Sequence, residues 1–139
     1  PGAARLKYLL DTDTCIYVLK GREPAFGRFA QQSRVDIALS ALTEAELRTG
    51  ALKSQHPLKT MHRIEAFLRP LAILDFTSED AGVYAQARAR LEKAGTPIGP
   101  MDLLIAAQAL SRELTLVTNN TREFRRVAGM VLENWSKPA

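Results

Sequence analysis

The sequence predicts an α/β chain with a central, mostly parallel sheet of four to five strands and helices on both faces, three layers in all. Three observations carry this. Short apolar runs recur along the chain and alternate with segments of helical period. No two of the runs are joined by a hairpin turn such as Asn-Gly, so successive strands need crossover connections. The length, 139 residues, fits one domain around one core. The whole chain, 1–139, is read as that domain. Residues 1–6, opening PGAAR, carry no pattern and are treated as a tail outside the fold argument.

The elements follow in order. KYLLD is a buried strand. TDTCIYVLKG is a short helix that begins at Thr12 or Asp13 and has Gly21 just past its end. PAFGRFAQQS is a second short helix with Pro24 near its first turn. VDIAL alternates and is a strand. SALTEAELRTGALK is a helix with Ser40 as N-cap. PLKTMHRIEAFLRP is a helix ended by Pro70, and LAILDF is a strand. TSEDAGVYAQARARLEKAG is a long amphipathic helix with Val83, Ala87, Leu91 and Ala94 on one face and Gly95 as its stop. GPMDLLIAAQALSRE is a helix with Pro100 at its first position. LTLVT is a strand, TREFRRV a short helix and MVLEN a last strand. No repeat, linker or low-complexity segment interrupts the series.

Composition narrows the function classes. No apolar run approaches the ~20 residues that a membrane helix needs, and no segment has the form of a signal peptide. The single cysteine, Cys15, allows no internal disulfide, which suits a reducing cytoplasm. His56 and His62 lack the spacing and cysteine neighbours of a zinc site. A net charge of +4 permits an anionic partner such as nucleic acid without requiring one.

In a parallel sheet, sites form beyond the carboxyl ends of the strands. Asp11, Ser40 and the Thr118–Asn120 turn lie at such ends. Asp11 reads equally as a cap for the next helix. Glu44 precedes Arg48 by four residues, which suits an exposed ion pair. Glu46 falls at the edge of the apolar face. Thr43-x-x-Glu46 matches a capping box, but a helix start at Ser40 puts Glu46 in the second turn instead. Asp102 heads a segment that is apolar almost all round. The helix dipole favours a carboxylate there, yet a charge at the mouth of a buried helix is costly unless paired. Asn120-x-x-Glu123 resembles a capping box, which makes Glu123 a cap and leaves Asn120 open. Several carboxylates at one edge repel one another, and Mg²⁺ or Mn²⁺ relieves that repulsion. Such a cluster is equipment for phosphodiester hydrolysis.

Rival chemistries fit less well. DTDT invites comparison with haloacid dehalogenase-like phosphatases, but Cys15 holds the fifth place of their first motif and their later lysine and acids are missing. A phosphoreceiver domain lacks its Asp and Lys strand ends here. No Walker phosphate loop and no Ser-His-Asp or Cys-His arrangement is present.

LLDTDTCIYVLKG, SALTEAELRTG, GTPIGPMDLLIAAQAL, LTLVTNNTREFRRV and VLENW, in this order and spacing, resemble PIN-domain ribonucleases, and more narrowly the VapC toxins of bacterial toxin–antitoxin pairs. The resemblance runs from about residue 7 to Trp135. It implies that Asp11, Glu46 and Asp102 are the family's first three acids and hold Mg²⁺ or Mn²⁺. Many members have an aspartate after the last strand's Thr. Here that place holds Asn120, cast as bonding water or ligand, with Glu123 helping. Asp13 falls where the family usually has Asn. Thr12, Thr118 and Asn119 are supporting residues.

The resemblance further implies metal-dependent endonucleolytic cleavage of structured RNA, commonly tRNA, leaving a 5′-phosphate and a 3′-hydroxyl. It implies a homodimer and a small VapB antitoxin. Lys20, Arg22, Arg88, Arg90, Arg122, Arg125 and Arg126 are candidates to guide the RNA backbone. Trp135 and Cys15 read as packing residues, and Tyr17 and Phe26 as core or dimer residues. The alternative is a PIN module with an incomplete site that acts by binding RNA or antitoxin alone.

Overall fold

Five short strands form one sheet in the order β3-β2-β1-β4-β5, and every neighbouring pair is parallel. They are β1 (Tyr8–Leu10), β2 (Ile37–Ser40), β3 (Ala72–Leu74), β4 (Thr115–Val117) and β5 (Leu132–Glu133). The computed structural model describes residues 6–138. The first five positions of the expected tail lie outside them. Register is tight at the centre, where Leu10 lies between Leu39 of β2 and Val117 of β4.

The pleat sends successive side chains to opposite faces. Leu10, Ile37, Leu39 and Val117 belong to the core beneath α1 (Thr12–Leu19), α2 (Ala25–Gln31), α3 (Ala41–Leu52) and α4 (Pro57–Leu68). Leu9, Ala38 and Leu116 belong to the opposite core, with Ile105, Ala106 and Ala109 of α6 (Pro100–Ser111) and Phe124 of α7 (Thr121–Phe124). A third cluster, Leu91, Leu103 and Val127, fastens α5 (Ser78–Lys93) to α6. These are the three layers that the sequence predicts. No helix among the described residues is long and apolar enough to cross a membrane.

Local signals set the helix ends. Ser40 accepts the Leu42 N–H at 3.0 Å and caps α3. Gly21 and Gly95 follow α1 and α5 with φ of +69° and +75°, where a side chain would be strained. Three expectations are trimmed. VDIAL begins as a 3₁₀ turn, Arg34–Asp36, because the Asp36 N–H turns back to the Ser33 carbonyl at 3.0 Å, while its carbonyl accepts the Lys7 N–H at 2.8 Å. TREFRRV is helical for four residues only, and MVLEN pairs over only two. On α5, Leu91 is buried whereas Ala94 is exposed, because the helix is ending there.

Trp135 is buried edge-on against Tyr8, with ring centroids 5.1 Å apart, and donates its indole N–H to Glu133 at 2.9 Å. Cys15 is fully buried. Both are packing residues. Phe26, by contrast, is exposed and takes no place in this chain's core.

One polar tie in the hydrophobic layers was not foreseen. Thr77 and Asp80 form a reciprocal capping box at the head of α5. Asp80, almost wholly buried, also receives the Ser111 hydroxyl and the Arg112 guanidinium, the latter at 2.7 Å. Burial pushes the Asp80 carboxyl up, but Ser111, the Thr77 backbone and Arg112 together hold it below the ordinary range. Asp80→Ala is expected to cost about 2–3 kcal/mol in urea unfolding, since it strands Arg112 and uncaps α5. A loss under about 0.5 kcal/mol, the scale of a plain surface change, would contradict this assignment.

Candidate metal-dependent active site

The strand order changes direction between β1 and β4, and the crevice beyond their carboxyl ends is where the acids gather. Asp11 is the first residue past β1. Its backbone N–H donates to Val117 of β4 at 3.0 Å, which pins it between the two strands. Its Oδ1 accepts the Thr14 N–H at 2.9 Å and so caps α1. Cap and candidate site residue are thus the same carboxylate. Burial pushes Asp11 above the ordinary range. The Thr118 hydroxyl and the Thr14 contacts pull it back, and the charge of Asp13 adds a further upward push.

Glu46 sits in the second turn of α3, since Ser40 and not Thr43 is the cap. Its Oε1 receives the Thr12 hydroxyl at 2.5 Å, and the Thr43 hydroxyl lies 3.2 Å from the same Thr12 oxygen. A hydroxyl has one proton, and the charged acceptor takes it. Thr12 therefore ties the head of α1 to α3 and aims Glu46. Glu44 turns away and pairs with Arg48 at 2.8 Å.

Asp102 lies in the first turn of α6, behind Gly99 and Pro100. Its carboxyl is pushed up to about 6, first by burial and then by the charges of Glu123, Asp11, Asp13 and Glu46. Those residues come from β1–α1, α3 and α7, so the repulsion reports one shared space. Glu123 accepts from Asn120 Nδ2 at 2.7 Å and from the Gly99 N–H at 3.4 Å. The expected Asn120-x-x-Glu123 capping box is therefore not formed. Asn120 makes no side-chain cap bond, and its amide bonds the carboxylate of Glu123 instead. Its backbone N–H donates to the Thr118 hydroxyl at 3.0 Å. Asn119 is half-buried between them.

The basic residues divide. Arg122, Arg125 and Arg126 are exposed on and just after α7, next to the acid turn, and Arg126 donates to the Pro97 carbonyl at 3.2 Å. Lys20 and Arg22 lie past the far end of α1, about 12 Å of helix from Asp11. Arg22 rests over the Tyr17 ring at 4.7 Å. Arg88 is engaged by Glu92 and Tyr84, and Arg90 is exposed. Sequence reasoning met Thr43 only as half of a capping box and missed its contact with Thr12, although its place one helical turn before Glu46 was a usable signal. It also missed the Gly99 N–H, a backbone donor that leaves no mark in the residue pattern.

The donor set fits a hard divalent ion. Its side chains offer only oxygen, and their mutual repulsion is the condition that a cation relieves. Among the described residues, no group of three or more His, Cys, Asp or Glu is arranged to hold a metal ion. The fit is therefore one of donor chemistry, oxygen ligands of one charge sign for a hard ion such as Mg²⁺.

The raised carboxyls have a measurable consequence. A carboxyl whose folded pKa exceeds its unfolded value destabilises the fold as pH rises through that interval. For Asp102 the window runs from its ordinary value of 3.8 to about 6, and the penalty is complete above it. Asp102→Asn should therefore raise the Tm at pH 7.5 in EDTA, with the gain gone by pH 4. An equal fall in Tm at both pH values would refute the repulsion.

Comparison with known proteins accords with this geometry. The family model of the PIN domain matches residues 8–130. The tRNA(fMet)-specific endonuclease VapC of Shigella flexneri is 40% identical over 131 residues, which cover 94% of this chain and 99% of that protein. Ribonuclease VapC2 of Haemophilus influenzae is 43% identical over 130 residues, 94% of this chain and 98% of that protein. The crystal structure of DNA-bound VapBC from Salmonella typhimurium superimposes with a TM-score of 0.87 at 41% identity, over 94% of this chain and 98% of that one. The chain belongs to the PIN domain family and, within it, to the VapC ribonucleases of toxin–antitoxin systems.

Proposed function

We propose that this chain is a Mg²⁺- or Mn²⁺-dependent endoribonuclease toxin that cuts structured RNA, with tRNA(fMet) as the first candidate substrate. One observation carries the site: the carboxyl of Asp102 is raised to about 6 by burial and by acids from three other segments of the chain. The Shigella relative, whose name specifies that tRNA, supports this choice of substrate. A VapB-like antitoxin follows from the Salmonella relative, solved as VapBC on DNA. A homodimer in the cytoplasm completes the reading.

In this mechanism Asp11, Glu46 and Asp102 would hold the ion between them. When bound, the ion neutralises charge at the scissile phosphate and lowers the pKa of water. The other groups prepare that space. Thr118 keeps Asp11 aimed by donating to it, and Thr12 does the same for Glu46. Glu123 adds a fourth carboxylate, steadied by the Gly99 N–H. Arg122 and Arg125 approach the RNA backbone from α7, with Arg126 behind them and Lys20 and Arg22 engaging more distant phosphates. The products carry a 5′-phosphate and a 3′-hydroxyl.

The test is cleavage of tRNA(fMet) by partner-free protein with Mg²⁺ or Mn²⁺. EDTA and Asp11→Asn should each abolish cutting. Thr118→Val should reduce it about 10–100-fold, the usual effect of removing a group that orients a metal-site residue. Cutting that survives Asp11→Asn would overturn the site. A folded protein that cuts neither tRNA nor ribosomal RNA would favour a PIN module that acts by binding alone.

A further inference from the structure

Asn120 stands beside the acids just after β4, and its side chain points to a particular use. Two hydrogen bonds define it. Its Nδ2 donates to Glu123 Oε2 at 2.7 Å, and its backbone N–H donates to Thr118 Oγ1 at 3.0 Å. The second bond occupies a lone pair of the Thr118 oxygen. That leaves the Thr118 proton for Asp11, whose carboxyl it does stabilise. Asn120 is thus connected to two acids of the site, through its backbone to one and through its amide to the other.

We infer that Asn120 is a positioning residue: it holds the Glu123 carboxylate toward Asp102 and does not itself bind ion or RNA. This rests on the ribonuclease reading above. The chemistry favours an amide over a carboxylate at this place. An amide donates to Glu123, whereas an Asp would set a second acceptor 2.7 Å from it. Glu123 also accepts the Gly99 N–H at 3.4 Å, and Asp102 Oδ2 lies 3.9 Å from where a Cβ on Gly99 would sit, so the direction of Glu123 matters to the shared space. Helix capping does not account for Asn120, because its side chain makes no cap bond. Packing does not account for it either, because the residue is exposed.

The test is a double-mutant cycle on Asn120→Ala and Glu123→Gln. It is read by tRNA cleavage and, without RNA, by the Mn²⁺ concentration that gives half of the thermal shift. Asn120→Ala should keep the Tm in EDTA and the KM for RNA, yet need about 10-fold more Mn²⁺ in both readouts. The double variant should be no worse than Glu123→Gln alone, because one residue acts through the other. Asn120→Asp should be worse than Asn120→Ala.

Independent, additive losses would mean that Asn120 contacts ion or RNA directly and would overturn the inference. So would an Asn120→Ala protein indistinguishable from the parent. A parent protein that neither cuts nor responds to Mn²⁺ would instead overturn the ribonuclease reading, and the inference with it.

Discussion

Parallel pairing of all five strands is the constraint from which the rest follows. It forces every strand to end at the same edge, so residues far apart in sequence are delivered to one place. With β1 central, between β2 and β4, the residue just past β1 occupies the middle of that edge. Asp11 is that residue, and its backbone is held by β4 even though its side chain serves α1. Moving the strand end by one residue would send the carboxylate to the opposite face.

Gathering acids at one edge is unfavourable for the bare protein, and the raised carboxyl of Asp102 records it. The fold tolerates the arrangement by giving most of the acids a neutral donor. Asp11 has the Thr118 hydroxyl and a helix N–H, Glu46 has Thr12, and Glu123 has an amide and a backbone N–H. These donors fix direction without cancelling charge. The negative potential therefore survives at this edge, and exposed arginines stand beside it on and just after α7. Asp80 is the contrast. It is buried too, but it is matched by Arg112 and held below the ordinary range, so its charge serves the fold and leaves none for a ligand.

Much of this was legible in the sequence, for identifiable reasons. The strands announced themselves as short apolar runs, and the absence of hairpin turns gave their direction. Ser40 fixed the start of α3, and that one residue separated Glu46 from the capping-box alternative. Glu123 was harder. Asn120-x-x-Glu123 has the spacing of a cap, and only the fold shows the amide turned onto the carboxylate. Thr43, Gly99 and the Asp80 tie depend on contacts between α1 and α3, α6 and α7, and α5 and α6. Periodicity identifies such helices but not which of their polar atoms meet. The short helix α7 was overestimated because its residues favour helix locally while Val127 is drawn into the third cluster.

The central claim is that the carboxylates beyond β1 and β4 form one divalent-cation site. Titrating the RNA-free protein with Mn²⁺ by calorimetry at pH 6, in two buffers of different ionisation enthalpy, tests it most directly. If the claim holds, Mn²⁺ binds with release of protons, the release fades above pH 7, and Asp102→Asn loses most of both. Binding that is absent, or that persists unchanged in Asp102→Asn, would contradict the account.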